Sequence, residues 1–131
     1  ATCEQPVNSM DYYPTLLELA GLDLHPELHK DGISLVPFLT EPQRMESRRL
    51  VWHYPHYHGS MWRPGSAIRV NQWKLIEFYE SSKVELYDLT QDTEERNDLS
   101  GLYPARADSL RKQMHQVLDE MGARYPKPKS E

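Results

Sequence analysis

The sequence predicts an α+β fold: a four-stranded antiparallel sheet packed with a C-terminal helix and preceded by one further helix. Three observations lead there. Four short segments rich in branched and aromatic residues follow one another between residues 50 and 89, and the connections among the last three are short enough to demand antiparallel neighbours. A longer segment behind them repeats its apolar residues at helical spacing between a proline and a glycine. At 131 residues the chain is near the usual size of one domain, and such a chain buries about two-thirds of the surface exposed by its unfolded form.

The first helix is expected over about residues 8–20. Met10, Tyr13, Leu17 and Ala20 recur at three- and four-residue steps, Leu16 widens the stripe, Asn8 or Ser9 can cap it, and Gly21 stops it. Pro14 must lie near the helix start, where the amide it lacks would have no partner. Residues 22–46 form a long connection with Pro26, Pro37, Pro42 and the turn pair Asp31-Gly32, and with one helical turn around Leu35 to Leu39. A connection of that length is unusual in a compact domain. Its apolar residues Ile33, Leu35, Val36, Phe38 and Leu39 are therefore expected against a surface, one that this chain need not supply. Residues 1–46 read as one region, 47–124 as a second and 125–131 as a tail.

The strands are expected at Leu50 to Tyr54, Ser66 to Val70, Trp73 to Tyr79 and Val84 to Leu89, the last three as a meander. In the third, Trp73, Leu75 and Glu77 share one face, with Lys74, Ile76 and Phe78 on the other. Apolar residues on both faces call for cover on both sides. The second helix runs from Pro104 to Gly122, with Ala107, Leu110, Met114, Val117, Leu118 and Met121 on one stripe and a favourable Asp108 to Lys112 pair. The tail from Tyr125 carries two prolines and three charges and is expected to be extended or disordered.

A net charge of −5 with no basic stripe argues against nucleic acid as a partner. No run approaches the roughly 18 to 20 apolar residues of a membrane helix, and the first residues lack the basic flank and apolar run of a signal peptide. A lone Cys3 excludes an internal disulfide and a cysteine-based zinc site. It lies beside Glu4-Gln5-Pro6 with no positioned base.

The most informative local composition is Trp52-His53-Tyr54-Pro55-His56-Tyr57-His58-Gly59, followed by Met61, Trp62 and Arg63. Imidazoles hydrogen-bond, titrate near neutrality and bind metals, and aromatic rings supply flat walls for a sugar or aryl group. The residues leave three readings open: a three-histidine metal site, a polar ligand site at a strand end, and rings packed at a sheet edge. Asp88 and Asp92 can be read as a carboxylate pair or as turn formers and solvated charges, the second being the usual role at a strand end; Arg48 and Arg49 as an anion clamp or, more usually, as surface charges before a strand; His25 and His29 as exposed. Phosphate-loop, dinucleotide, nucleophile-elbow and H-E-x-x-H signatures are absent, and no catalytic centre is recognisable.

The order of the segments adds a further reading. Val7-Asn8-Ser9-Met10-Asp11-Tyr12-Tyr13-Pro14-Thr15-Leu16-Leu17-Glu18-Leu19-Ala20-Gly21 and Asp31-Gly32-Ile33-Ser34-Leu35-Val36-Pro37-Phe38-Leu39 resemble the end of the catalytic domain in arylsulfatase-type sulfatases, of the alkaline-phosphatase-like superfamily. Trp52-His53-Tyr54-Pro55-His56-Tyr57, Ser66-Ala67-Ile68-Arg69, Trp73-Lys74-Leu75-Ile76, Glu85-Leu86-Tyr87-Asp88-Leu89 and the turn with Glu94, Glu95, Asn97 and Leu99 resemble their smaller C-terminal subdomain.

The resemblance, which runs from about Val7 to Pro128, implies a C-terminal portion of a sulfuric ester hydrolase, inactive alone, whose partner is an N-terminal catalytic domain. The first helix would belong to that large α/β domain. The family's formylglycine, made in a C/S-x-P-S/A-R segment, and its calcium would lie in the absent part, because Gln5 and Val7 stand where Pro and Arg would follow Cys3. No catalytic or metal residue is then expected in this chain. His53, His56, Tyr57 and His58, with Trp62 and Arg63, are candidates to touch a sulfated carbohydrate or aryl sulfate beyond its sulfate group. The resemblance implies a periplasmic or secreted setting. A free-standing carbohydrate-binding or interaction module, and a small metal-dependent hydrolase built on the three histidines, are the rival readings.

Overall fold

The computed structural model describes residues 2–41, 44–59 and 61–127. The chain forms two compact units, Ala1–Ser47 and Arg48–Glu131.

In the first unit a 3-10 turn, Ser9–Asp11, runs into helix α1 (Tyr12–Leu19), and the connection carries helix α2 (Val36–Thr40). Pro14 lies in the first turn of α1, and Gly21 ends the helix region at φ +68°, with Leu22 N–H returning to the Leu17 carbonyl at 2.9 Å. The buried side of this segment is not the expected apolar stripe. Asp11, Pro14 and Thr15 are buried, whereas Leu16 is 64% exposed and Leu19 also faces solvent.

The reason is the backbone of the connection, which has no ladder to satisfy it. Asp11 Oδ1 accepts Ile33 N–H at 3.0 Å and its Oδ2 accepts Asn8 N–H at 2.6 Å. Thr15 Oγ1 accepts Leu35 N–H at 2.9 Å while donating to the Asp11 carbonyl at 2.5 Å. Buried amides require such partners, so polar residues occupy the inner face. Gly32 is required beside them, since a Cβ there would stand 2.3 Å from the Met10 carbonyl oxygen. Two further expectations change. Phe38 is already buried, at 4% exposure, with the Arg44 guanidinium 5.8 Å from its ring centre. His29 is half-buried, Nδ1 lying 3.3 Å from the Gly32 carbonyl and the ring edge-on to Tyr13. Pro42 lies outside the described residues.

The second unit holds β1 (Arg49–Tyr54), β2 (Gly65–Val70), β3 (Trp73–Phe78), β4 (Lys83–Asp88) and helix α3 (Pro104–Glu120). The sheet is an antiparallel meander in the order β1-β2-β3-β4. Asn71 turns β2 into β3 at φ 55°, a left-handed conformation that asparagine tolerates. Register aligns Val51, Ile68, Leu75 and Leu86 in one row. Over it α3 lays Ala107, Leu110, Met114 and Leu118.

The opposite face carries Ala67, Ile76 and Tyr87, packed with Trp62, Phe78 and Leu89. Asp88 and Asp92 are turn formers, as expected: Asp88 Oδ1 accepts Thr90 N–H, and Asp92 Oδ2 accepts the amides of Arg96 and Asn97. Three expectations are corrected. Met121 is exposed because α3 has ended before it. Arg48 is buried, its carbonyl accepting the Asn71 amide at the mouth of the sheet. Tyr125, placed in the tail, is half-buried against the sheet, whereas residues 128–131 lie outside the described ones.

Candidate functional site

The loop at residues 55–64 joins β1 to β2 and carries most of the candidate side chains. Strand alternation separates them at the start: Tyr54 points to the face away from α3, and His53 points toward α3. His53 is consequently part of the packing. Its Nε2 lies 3.0 Å from the Arg124 carbonyl, which can only accept, so this nitrogen carries the proton. Nδ1 then faces Ser66 Oγ at 2.7 Å and the Tyr79 hydroxyl at 3.0 Å.

Tyr125 closes over this group, its ring 5.7 Å from His53, 5.4 Å from Tyr79 and 6.1 Å from His115. Beside it the buried Glu77 carboxylate receives Arg111 and His115. These polar residues were not singled out in the sequence, although Glu77 shares a strand face with Trp73 and Leu75, and a carboxylate on an apolar face signals a partner.

Burial pushes the Tyr79 phenol up to about 12, with the bond to Ser66 opposing. The unfolded value is about 10, so a raised folded value gives stability that is complete below about pH 10 and is lost toward pH 12. Tyr79→Phe is expected to cost about 1 kcal/mol at pH 8 for the lost hydrogen bonds. By pH 11 its urea midpoint should approach that of wild type; a gap unchanged between the two pH values would show that the phenol titrates normally.

The exposed loop is built differently. Tyr54 stands between two imidazoles, His56 at 5.8 Å and His58 at 6.1 Å between ring centres, both edge-on. A turn over residues 58–62 is closed by Met61 N–H to the His58 carbonyl and His58 N–H to the Trp62 carbonyl. It brings Trp62 back, so that its indole N–H donates to the Tyr54 carbonyl at 3.2 Å and its ring packs on Phe78. Arg63 lies 4.7 Å over the same Phe78 ring. Tyr57 donates to Glu80, and that bond, followed by burial, raises its phenol above the ordinary value.

The three histidines do not converge, because His53 is engaged on the opposite face. Among the described residues no three His, Cys, Asp or Glu side chains are placed to hold a metal ion. The structure therefore assembles a rim of His56, Tyr57 and His58 backed by Tyr54, Trp62 and Arg63. Such a rim can hydrogen-bond and stack against a polar ligand.

Residues 1–124 match the family described as N-sulphoglucosamine sulphohydrolase, C-terminal. Among similar proteins, arylsulfatase K of Bos taurus is 29% identical over 128 residues, which is 92% of this chain and 22% of that protein. A sulfatase of Formosa agariphila is 35% identical over 111 residues, 78% of this chain and 20% of that protein. The chain thus spans about a fifth of the length of these relatives.

Two solved structures share the fold: Ps i-CgsB in complex with k-i-k-neocarrahexaose, at TM-score 0.65 and 27% identity over 86% of this chain and 24% of that one, and BT1596, a 2-O GAG sulfatase, at TM-score 0.63 and 28% identity over 84% and 24%. In the second unit the four-stranded antiparallel sheet with its C-terminal helix matches the sulfatase C-terminal subdomain.

Proposed function

Because this chain belongs to the N-sulphoglucosamine sulphohydrolase C-terminal family, we propose that it is the C-terminal portion of a sulfatase that hydrolyses sulfate esters of carbohydrates. Residues 1–46 belong, in this reading, to the end of the catalytic domain, and residues 47–124 form the subdomain that completes the substrate cleft. Two observations support it. The match covers nearly the whole chain but only about a fifth of the relatives, and Tyr12, Leu16, Leu19 and Leu22 of the first unit stand exposed in one short stretch. Such apolar exposure is the mark of a face that another part of a protein covers. The family resemblance favours a periplasmic or secreted enzyme, and among the described residues no helix is long and apolar enough to cross a membrane.

The family's calcium and formylglycine do not fit the residues present. Cys3 lacks the Pro and Arg of the modification segment, and the described residues offer no ligand cluster. Both groups are assigned to the catalytic domain, and no chemical step is assigned to this chain. What it contributes is substrate selection. His56 and His58, standing on either side of Tyr54, line a rim of polar and aromatic groups against which the sugar lies, and Tyr57 and Arg63 extend it. His53, with both nitrogens occupied, positions β1 and the loop that follows it.

The single observation that carries the proposal is the exposed His56–Tyr54–His58 arrangement at a strand end. In the sulfatase that carries this segment, His58→Ala is expected to lower kcat/KM for a sulfated disaccharide by about tenfold, the equivalent of one hydrogen bond to a polar ligand. Turnover of a small chromogenic aryl sulfate, whose single ring offers no sugar hydroxyl or second sulfate to this loop, should be unchanged. Equal loss on both substrates would remove the loop from substrate selection. The 131-residue chain by itself should turn over neither.

A further inference from the structure

The face of the sheet turned away from α3 has a shape and charge that the loop does not account for. Register places Trp52 in a row with Ala67 and Ile76, and Tyr54 in a row with Gly65 and Phe78. Small residues on β2 between large ones on β1 and β3 make a trough along the strands. The small residues span the Trp52 and Tyr54 rows, about 7 Å at the usual rise per residue, and Arg69 stands at the next row, beside the buried Leu50. Gly65 is required for close packing at one end, since a Cβ there would stand 2.5 Å from the Glu77 carbonyl oxygen, and the Trp62 ring covers it and bounds the trough on that side. The cavity of about 360 Å³ over the trough is lined by Trp52, Trp62, Ala67, Arg69, Lys74 and Ile76 among others, a size within the range of small-ligand sites.

Its chemistry is not that of an apolar docking face. Trp52 is 41% exposed although its neighbour Ala67 is buried, so an indole face borders the trough. In a chain of net charge −5, this face carries Arg63, Arg69, Lys74 and Lys83 against Glu85 and Glu95. Arg69 Nε is anchored to the Asn71 carbonyl at 2.8 Å, which orients the guanidinium, and Lys74 is paired with Glu95 at 2.6 Å. Flat aromatic walls beside cations suit a ligand with apolar ring faces and anionic substituents. Trp62 belongs to both places: it sits at the end of the 58–62 turn and also lines the cavity.

We infer that this trough is a distal subsite for a sulfated oligosaccharide, continuing from the His56–His58 rim past Trp62 to Trp52 and Arg69. The choice of a sulfated glycan rests on the function proposed above. A sugar ring stacks on Trp52, and a sulfate on the next unit takes charge-assisted hydrogen bonds from Arg69. The site makes affinity depend on chain length, because only a ligand of several units reaches from the rim to the trough.

Calorimetric titration of the 131-residue chain at low salt with a sulfated hexasaccharide and with the matching disaccharide tests this. The hexasaccharide is expected to bind at least tenfold more tightly. Trp52→Ala and Arg69→Gln should each remove most of that gain and leave disaccharide affinity unchanged; Arg69→Gln, on a half-buried side chain, guards against a folding defect in the first variant. His58→Ala should weaken both ligands and preserve their ratio. Equal affinity for the two lengths, no measurable hexasaccharide binding, or a gain that survives both trough variants would overturn the subsite. Loss of the gain in the trough variants with no effect of His58→Ala would uphold the trough and reject the rim.

Discussion

Leu75→Ala is expected to lower the unfolding free energy of the second unit by about 3–4 kcal/mol, within the range for a fully buried leucine. Leu75 is completely inaccessible, in the central row of the sheet between Ile68 and Leu86 and beneath α3. Removing its side chain costs the transfer free energy of the lost carbons and leaves a cavity that two neighbouring strands and a helix cannot collapse to fill. Domains of this size are stable by only about 5–15 kcal/mol, so the variant should be near the edge of folding at 37 °C. All three tryptophans, Trp52, Trp62 and Trp73, lie in this unit. Urea unfolding followed by tryptophan fluorescence therefore reports it directly. A loss under 1 kcal/mol would mean that α3 does not bear on the sheet at this position.

Asp11→Ala is expected to be nearly as costly and to act in the first unit. The carboxylate is fully buried and accepts two amides from separate segments, Asn8 and Ile33. Alanine leaves both donors without this acceptor inside the protein, at about 1–3 kcal/mol each. The loss should appear as faster hydrogen exchange of the Ile33 and Asn8 amides, and less at Leu35, whose acceptor Thr15 is held by the main-chain carbonyl of residue 11 that the substitution keeps. Asp11→Asn, which retains an acceptor oxygen, should recover part of the protection. Exchange rates unchanged in the alanine variant would show that water replaces the carboxylate at no cost.

The elements themselves were legible because each is announced by local chemistry. Pro104 and Gly122 bracket a stripe of apolar residues at helical spacing, and α3 lies between them. Asn71-Gln72 leaves room for nothing but a tight reversal between β2 and β3. The candidate loop was legible for the same reason, since three histidines and several aromatic residues within a dozen positions stand out in composition alone. What alternation says about His53 was also available: in a strand, His53 and Tyr54 must point to opposite faces, and the three-histidine metal site fails on that ground.

Other features depended on residues distant in sequence. Asp11 reads as a polar position on the wrong side of an apolar stripe until Ile33 arrives from 22 residues away with an unsatisfied amide. Tyr125 reads as tail until it meets His53, Tyr79 and His115. Arg48 reads as a surface charge until it lies beside the β2–β3 turn.

By itself, then, the amino-acid sequence determined the secondary structure, the antiparallel order of the last three strands, the family and the loop where side-chain chemistry gathers. Periodicity, turn residues and strand spacing are local and act on a chain whatever its neighbours. Only the tertiary structure decided which polar groups are buried, which histidines face solvent, and that one sheet face is closed by α3 while the other forms a cationic, tryptophan-lined trough. Those outcomes follow from the need of every buried donor and acceptor for a partner, and in this chain the partners come from segments that the sequence sets far apart.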